Sequence, residues 1–301
     1  MGIPCNRLAV ACLVLAGTAL AQEKDDWNGI KVVTRYARVL RDNDQIIDTG
    51  GRFRVYTVKK VEQDRVRVTA RDIEGWFLAG DVLPLKDAVA FYTEEIQNNP
   101  NNVSALNWLG MVRGALGDND GAITAYTDAI RVGQEGPHAY NNRGNAWMAK
   151  KEYDKAIEDF DAAVRIDPKH AVARCNRGMA RMRKHEYPAA LADIDDAIRL
   201  DSGMTSALNE RSWLRATCPD DAHRDGRQAV DDATKACELA GWKDANVIDT
   251  LAAAYAELGF FEQAARYQQE AIDKSPSGSP ARKSYAGRLA LYRKKKPYRE
   301  P

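Results

Sequence analysis

A chain of 301 residues with 45% hydrophobic and 29% charged residues has a globular composition. That length exceeds the usual single domain and implies two modules. A formal net charge of +1 gives no global reason to expect a nucleic-acid or membrane-surface binder, which normally carries a clustered basic excess, and no nucleic-acid partner is expected.

The first stretch, MGIPCNRLAVACLVLAGTALAQ, carries one basic residue at Arg7, an apolar run from Leu8 to Leu20, and small residues at Ala19 and Ala21. This is the pattern of a secretory signal peptide over residues 1–21, cleaved after Ala21 to leave Gln22 as the mature N-terminus. A membrane anchor would need about 20 apolar residues. The run is shorter, so the mature chain is expected to hold no integral membrane segment. A lipoprotein would be cut at Cys12, but Ala9 stands where a larger aliphatic residue is usual. Cleavage removes Cys5 and Cys12 and leaves Cys175, Cys218 and Cys237, an odd set with no close pair. Export would permit disulfides, yet these three read as buried thiols.

Residues 28–85 change character. Runs such as RFRVYTVKKV and DRVRVTA alternate with the period of half-buried strands, broken at DTGG and EQD. The segment ends in GWFLAGDVLPL, Gly75 to Leu85, and a string of short strands of this kind predicts a small β-barrel. Gly75, Trp76 and Phe77 resemble the GWV-type motif of bacterial Src-homology-3-like domains, with Phe in place of Val. The resemblance implies that exposed aromatics could touch peptide or cell-wall glycan, which makes Tyr36, Tyr56 and Trp76 candidates. The competing reading places Trp76 in the core of the barrel.

Residues 86–102 read as one amphipathic helix, with Val89, Phe91, Tyr92 and Ile96 on its apolar side and Pro100 beyond its end. A unit then recurs with a period of 34 residues: Gly110, Gly144 and Gly178 are so spaced, as are Ala122, Ala156 and Ala190. Ser212 and Ala252 continue the first series, Ala229 and Ala264 the second. Small residues recur where two helices cross too closely for a larger side chain. Tyr126, Phe160 and Ile194 follow their alanines by four residues, and Ala129, Ala163 and Ala197 by seven.

This pattern resembles the tetratricopeptide repeat. The fold expected is therefore mainly α: a right-handed α-solenoid of tetratricopeptide helix pairs, preceded by the small Src-homology-3-like β-barrel. Its units fall at about 103–136, 137–170, 171–204, 205–244 and 245–278, with a capping helix and basic tail over 279–301. The fourth unit departs from the pattern, because ATCPDDAHRDGRQA adds about five residues between its helices.

Comparing the units exposes a second regularity. The residue before the small position is Leu109, Arg143, Arg177, Arg211 and Leu251. The residue three after the second-helix alanine is Ala125, Asp159, Asp193, Asp232 and Tyr267. Arg and Asp occur together or not at all. Anion binding by the arginines is one reading. Helix-to-helix ion pairs are the favoured one, since a buried guanidinium needs a carboxylate.

Catalysis finds little support. The four histidines, His138, His170, His185 and His223, form no metalloprotease pattern, and there is neither a nucleophile elbow nor a phosphate loop. No enzyme activity, cofactor or metal is expected. Recognition remains, and in a stack of helix pairs the first helices line a concave groove. By the resemblance, that groove gathers Asn141, Asn142, Asn145, Asn176 and Asn209, with Asn107, Trp108, Cys175, Met179, Glu210, Trp213 and the cation Arg183. Asparagine both donates and accepts, so a row of them suits the backbone of a bound peptide. The function expected is an exported scaffold binding protein or peptide in the bacterial envelope. The alternative is cell-wall association through the barrel. A weaker third reading is a membrane-surface contact through Lys294, Lys295, Lys296 and Arg299.

Overall fold

The computed structural model describes residues 31–34, 40–42, 45–48, 56–62, 65–70, 73–78, 81–133 and 136–300. The signal peptide expected at 1–21 and the candidate Tyr36 lie outside the described residues. The chain divides into two compact units, Met1–Gln134 and Glu135–Pro301.

Among the described residues of the first unit, seven short strands form one antiparallel sheet. They are β1 (Lys31–Thr34), β2 (Leu40–Asp42), β3 (Gln45–Asp48), β4 (Tyr56–Glu62), β5 (Arg65–Ala70), β6 (Ile73–Leu78) and β7 (Val82–Pro84), in the order β3-β2-β6-β5-β4-β1-β7. The expected barrel is not closed, because β3 and β7 stand at opposite edges of the sheet. The residues of β1 and β7 explain what replaces closure. Val32 and Val82 turn one way, into a core with Tyr56, Val58, Val66, Val68 and Phe77. Val33 and Leu83 turn the other way, against the helix that begins at Leu85. Both faces of this strand pair are therefore covered, as in a sheet flanked by helices.

Strand parity also decides the aromatics. Phe77, 2% exposed, meets Tyr56 edge-on at 5.2 Å between ring centroids. Trp76 points to the opposite face, half-buried, as the cross-strand partner of Arg67, whose guanidinium lies 5.9 Å from its ring. The core aromatic is thus Phe77 rather than Trp76. Tyr56 is buried and is not an exposed aromatic.

Twelve α-helices follow among the described residues. The first unit holds α1 (Leu85–Asn98), α2 (Val103–Ala115) and α3 (Asn119–Val132). The second holds four helix pairs and a last helix. The pairs are α4 (Pro137–Ala149) with α5 (Tyr153–Ile166), α6 (Ala171–Arg183) with α7 (Tyr187–Leu200), α8 (Thr205–Thr217) with α9 (Gly226–Leu239), and α10 (Ala245–Glu257) with α11 (Phe261–Lys274). Helix α12 spans Pro280–Arg293. The extra residues of the fourth unit form a 3-10 turn, Asp221–His223, before α9.

The small positions sit where the helices of a pair cross. A Cβ on Gly110 would lie 2.5 Å from the Tyr126 ring, one on Gly144 2.6 Å from the Phe160 ring, and one on Gly178 2.7 Å from Ile194. In the fourth unit Ser212 takes the place and donates its hydroxyl to the Ala229 carbonyl at 2.7 Å. First helices end alike. Gly117, Lys151, His185 and Gly259 adopt positive φ, and the following amide bonds back five residues, from Asp118 to Arg113, Glu152 to Trp147, Glu186 to Arg181, and Phe260 to Tyr255. This is the Schellman turn, which sends the chain into the second helix.

Overpacking a tight site costs about 1–3 kcal/mol, whereas adding a methyl to an open helical glycine stabilises by about 0.5–1 kcal/mol. Gly144→Ala should therefore destabilise the fold. Gly287→Ala, in α12 with nothing within 4 Å of its Cβ, should stabilise it. Urea denaturation of both variants reads the opposite signs.

Candidate functional site

The periodic arginines and aspartates meet as paired groups. Arg143 reaches Asp159 through Nε at 2.8 Å and Nη2 at 2.6 Å. Arg177 reaches Asp193 at 2.9 and 2.5 Å, and Arg211 reaches Asp232 at 2.7 Å through both nitrogens. The remaining Nη1 crosses to the preceding unit: Arg177 to Asp161 and Arg211 to Asp195, each at 2.6 Å. The Arg177 and Arg211 forks thus tie their own pairs together and fasten each to the previous one. The side chains of Arg177 and Asp193 are only 14% and 5% exposed. Hydrogen bonds to the partner aspartates, against the opposing pull of burial, raise the pKa of both Arg177 and Arg211. These guanidinium groups are engaged and do not form an anion site. The bridging carboxylates were present in the sequence, two residues beyond each paired Asp in the second and third units.

The last pair lacks this ladder, having Leu251 and Tyr267 at the two positions. Asp249 replaces it, accepting from Arg288 of α12 at 2.8 Å through both carboxylate oxygens and from Gln268 at 2.7 Å. Burial raises the Asp249 carboxyl, and Arg288 and Gln268 oppose that shift.

Within the second unit the first helices α4, α6, α8 and α10 approach one another more closely than the second helices do. A stack curves toward its closely spaced side, so the first-helix face is the concave one. The expected asparagines divide by their position on it. Asn141 and Asn209 are buried, 6% and 5% exposed, as are Cys175 and Asp249 at the equivalent place three residues before the small position. That place lies in the seam between neighbouring helices and is a correction to the exposed row. Asn176 donates to Asn141 Oδ1 at 2.9 Å, and Asn141 donates to Asn142 Oδ1 at 3.4 Å. Asn142 and Asn176 are half-buried, Asn145 is exposed, and Arg183 stands at the end of α6 with its side chain half-exposed.

A different group of residues occupies the far half of this face. A hollow of about 170 Å³ is lined by Arg183, Asn209, Glu210, Trp213, Asp249 and Arg288, together with Glu300 from the C-terminal tail. Lys295, at φ 54°, ends α12 and turns the chain back. The Glu300 amide then donates to the Thr217 carbonyl at 2.9 Å. Its carboxylate accepts from Trp213 Nε1 at 2.6 Å and Arg183 Nη1 at 2.5 Å. Tyr298 lies 5.8 Å from the Trp213 ring, and the Arg288 guanidinium lies 5.2 Å from both rings. Arg299 pairs with Glu257 at 2.5 Å and donates to the Ala216 carbonyl at 3.3 Å. Arg299 is therefore held against the protein and is not part of a free basic patch. Burial raises the Glu210 carboxyl, Arg183 and Asn209 opposing and Glu300 adding to the shift.

The remaining chemistry-bearing side chains do not gather here. Cys175, Cys218 and Cys237 are buried free thiols, and burial lifts Cys175 and Cys237 to about 12. His138 and His170 face each other on α4 and at the start of α6, with ring nitrogens 3.2 Å apart. Burial and then the neighbouring imidazole lower the His170 pKa.

Helix pairs repeated in register around glycine crossings define a helical-repeat protein. The repeats are tetratricopeptide repeats: the family model described as Tetratricopeptide repeat matches residues 109–171. Among solved structures, the chain resembles the Cut9–Hcn1 hetero-tetramer of the APC/C with a TM-score of 0.60, at 17% identity over 68% of this chain and 39% of that one. It resembles PilW, a type IV pilus biogenesis factor, with a TM-score of 0.57, at 16% identity over 67% of this chain and 90% of that one. Yeast Tom70 gives a TM-score of 0.54, at 16% identity over 68% and 42%. These likenesses concern the fold. No curated protein matches the chain. No helix among the described residues is long and apolar enough to cross a membrane.

Removing one member of a buried ion pair strands the other and costs about 3–5 kcal/mol, against at most about 1 kcal/mol for an exposed pair. Arg143→Ala, which leaves the 6%-exposed Asp159 without its guanidinium, should fall in the first range, and Arg177→Ala should cost less because Arg181 still reaches Asp193 at 2.8 Å. Arg131→Ala, whose partner Asp128 lies one turn away on the surface, should fall in the second, as read by chemical denaturation.

Proposed function

We propose that this chain is an exported, non-catalytic scaffold that holds a protein or peptide segment on the face carried by its first helices, within the bacterial cell envelope. One observation carries the recognition part. The face already accommodates a non-helical segment, Tyr298 to Glu300, through a main-chain hydrogen bond, an aromatic contact and a carboxylate clamp. A surface that binds its own tail in this manner has the donors, acceptors and apolar footing that a peptide from elsewhere would use. The export part rests on the N-terminal pattern of Arg7, the Leu8–Leu20 run, Ala19 and Ala21.

A second reading assigns cell-wall association to the sheet. Its supporting observation is Trp76, which stands half-buried beside Arg67 on the face opposite the Phe77 core. Deleting the whole sheet is a poor test, since Val33 and Leu83 cover the apolar side of α1. Trp76→Ala leaves that contact alone.

Asn176 supports the buried Asn141, so the accessible pair Asn142 and Asn145 is the better probe of the groove. Replacing both with Ala should leave the folded signal intact and weaken partner capture from an envelope extract by about 1–3 kcal/mol. Normal capture by that variant, with capture lost in Trp76→Ala, would transfer recognition to the sheet. N-terminal sequencing of the exported protein should begin at Gln22. An intact Met1 on a cytoplasmic protein would refute export.

A further inference from the structure

We infer that Tyr298–Glu300 is a cis occupant of a three-part peptide subsite on α6, α8, α10 and α12, and that its trans partner is a segment offering an aromatic, a basic and an acidic residue in that order. This rests on the peptide-binding reading of the first-helix face and specifies the ligand.

Each position of the tail meets a complementary group. The aromatic place is made by Trp213 and Arg288, whose guanidinium lies 5.2 Å from the rings of both Trp213 and Tyr298. Arg288 is itself fixed by Asp249, so the aromatic place is built before any ligand arrives. The basic place is Glu257 at the end of α10, with the Ala216 carbonyl at the end of α8. Helix carbonyls at a C-terminus carry partial negative charge and favour a cation there. The acidic place is Arg183 with Trp213 Nε1. An indole N–H can only donate, so it selects an acceptor. The Thr217 carbonyl anchors the backbone between these side-chain contacts.

The chemistry also selects against other occupants. A purely basic segment would leave Arg183 facing a like charge, and a purely acidic one would leave Glu257, whose other oxygen Arg224 holds at 3.0 Å, without its second cation. Glu210 lines the same hollow as Glu300, so a second acidic residue in the ligand is disfavoured at that end. The alternation of charges in the tail matches the alternation of the site.

Occupation in cis has a quantitative consequence. A segment on a short tether has an effective concentration on the order of millimolar. If the tail fills the site about ten times in eleven, the apparent affinity for a competing peptide falls about tenfold, because only the open fraction can bind it. The tail would then act as a threshold that weak or non-matching segments do not cross.

The test uses full-length chains and a fluorescein-labelled peptide of sequence KKPYREP. Glu300→Arg sets two cations against each other at Arg183 and should release the tail, so this variant should bind the peptide about tenfold more tightly than wild type by fluorescence anisotropy. Hydrogen exchange should show the Glu300 amide protected in wild type, and the amide at position 300 exposed in Glu300→Arg and in Arg183→Glu. Equal peptide affinity in wild type and Glu300→Arg, or an unprotected wild-type tail, would overturn the assignment. A wild-type dimer that becomes monomeric on Glu300→Arg would place the tail in a second copy and overturn it as well. If partner capture stays sensitive to Asn142 and Asn145 while the peptide binds neither chain, the face remains the site and only the tail's role is refuted.

Discussion

Everything in the repeat region depends on how closely two helices can cross. At Gly144 the Phe160 ring occupies the space where a Cβ would be, so the aromatic fills the crossing and the missing side chain is itself part of the packing. The same relation joins Gly110 to Tyr126 and Gly178 to Ile194. It fixes the separation of the helices in each pair, and the separation sets which faces remain for the next pair. A close-packed interior has few voids to absorb an added methyl. The turn joining the helices is held just as strictly, because Lys151 and His185 accept a left-handed backbone where Gly117 and Gly259 stand in other units.

Once each pair is set, the arginine ladder sets the step between pairs. Arg177 and Arg211 each grip a carboxylate of their own unit with two nitrogens and one of the preceding unit with the third. Planar geometry makes this possible, since a guanidinium offers donors in several fixed directions where an ammonium offers a point charge. In a solenoid the stability is a sum over units and their interfaces, so these bridges contribute at the interfaces. The ladder stops where Leu251 and Tyr267 appear, and Arg288 of the last helix closes the stack on Asp249. Arg288 thereby joins the structural network to the face that holds the tail.

The readable part of the fold was the part written locally. The period of 34 residues, the small positions and the pairing of Arg143, Arg177 and Arg211 with their aspartates recur at short separations, and all correspond to contacts between adjacent helices. The sheet is different. Whether β3 and β7 meet depends on what covers their faces, and alternation along a strand does not say that α1 lies against Val33 and Leu83. The asparagine row is different again: Asn141 and Asn142 are adjacent and identical, yet only the first turns into the seam between helices. The tail was the least legible element. Its Glu300 contacts lie 117 residues from Arg183 and 87 from Trp213, and RKKKPYREP reads in isolation as a solvated basic end.

The account that emerges has rigid helix pairs and interface arginines presenting one curved face, with a built aromatic and carboxylate site at its far half. Its central claim is that recognition belongs to this face and to no other part of the second unit. Site-specific photo-crosslinking tests that claim most directly, with a photoreactive amino acid placed at exposed Asn145 on α4 or at exposed Glu158 on α5 in an envelope extract. The account requires covalent partner adducts from position 145 and none from position 158. Adducts from position 158 alone, or equally from both, would contradict it.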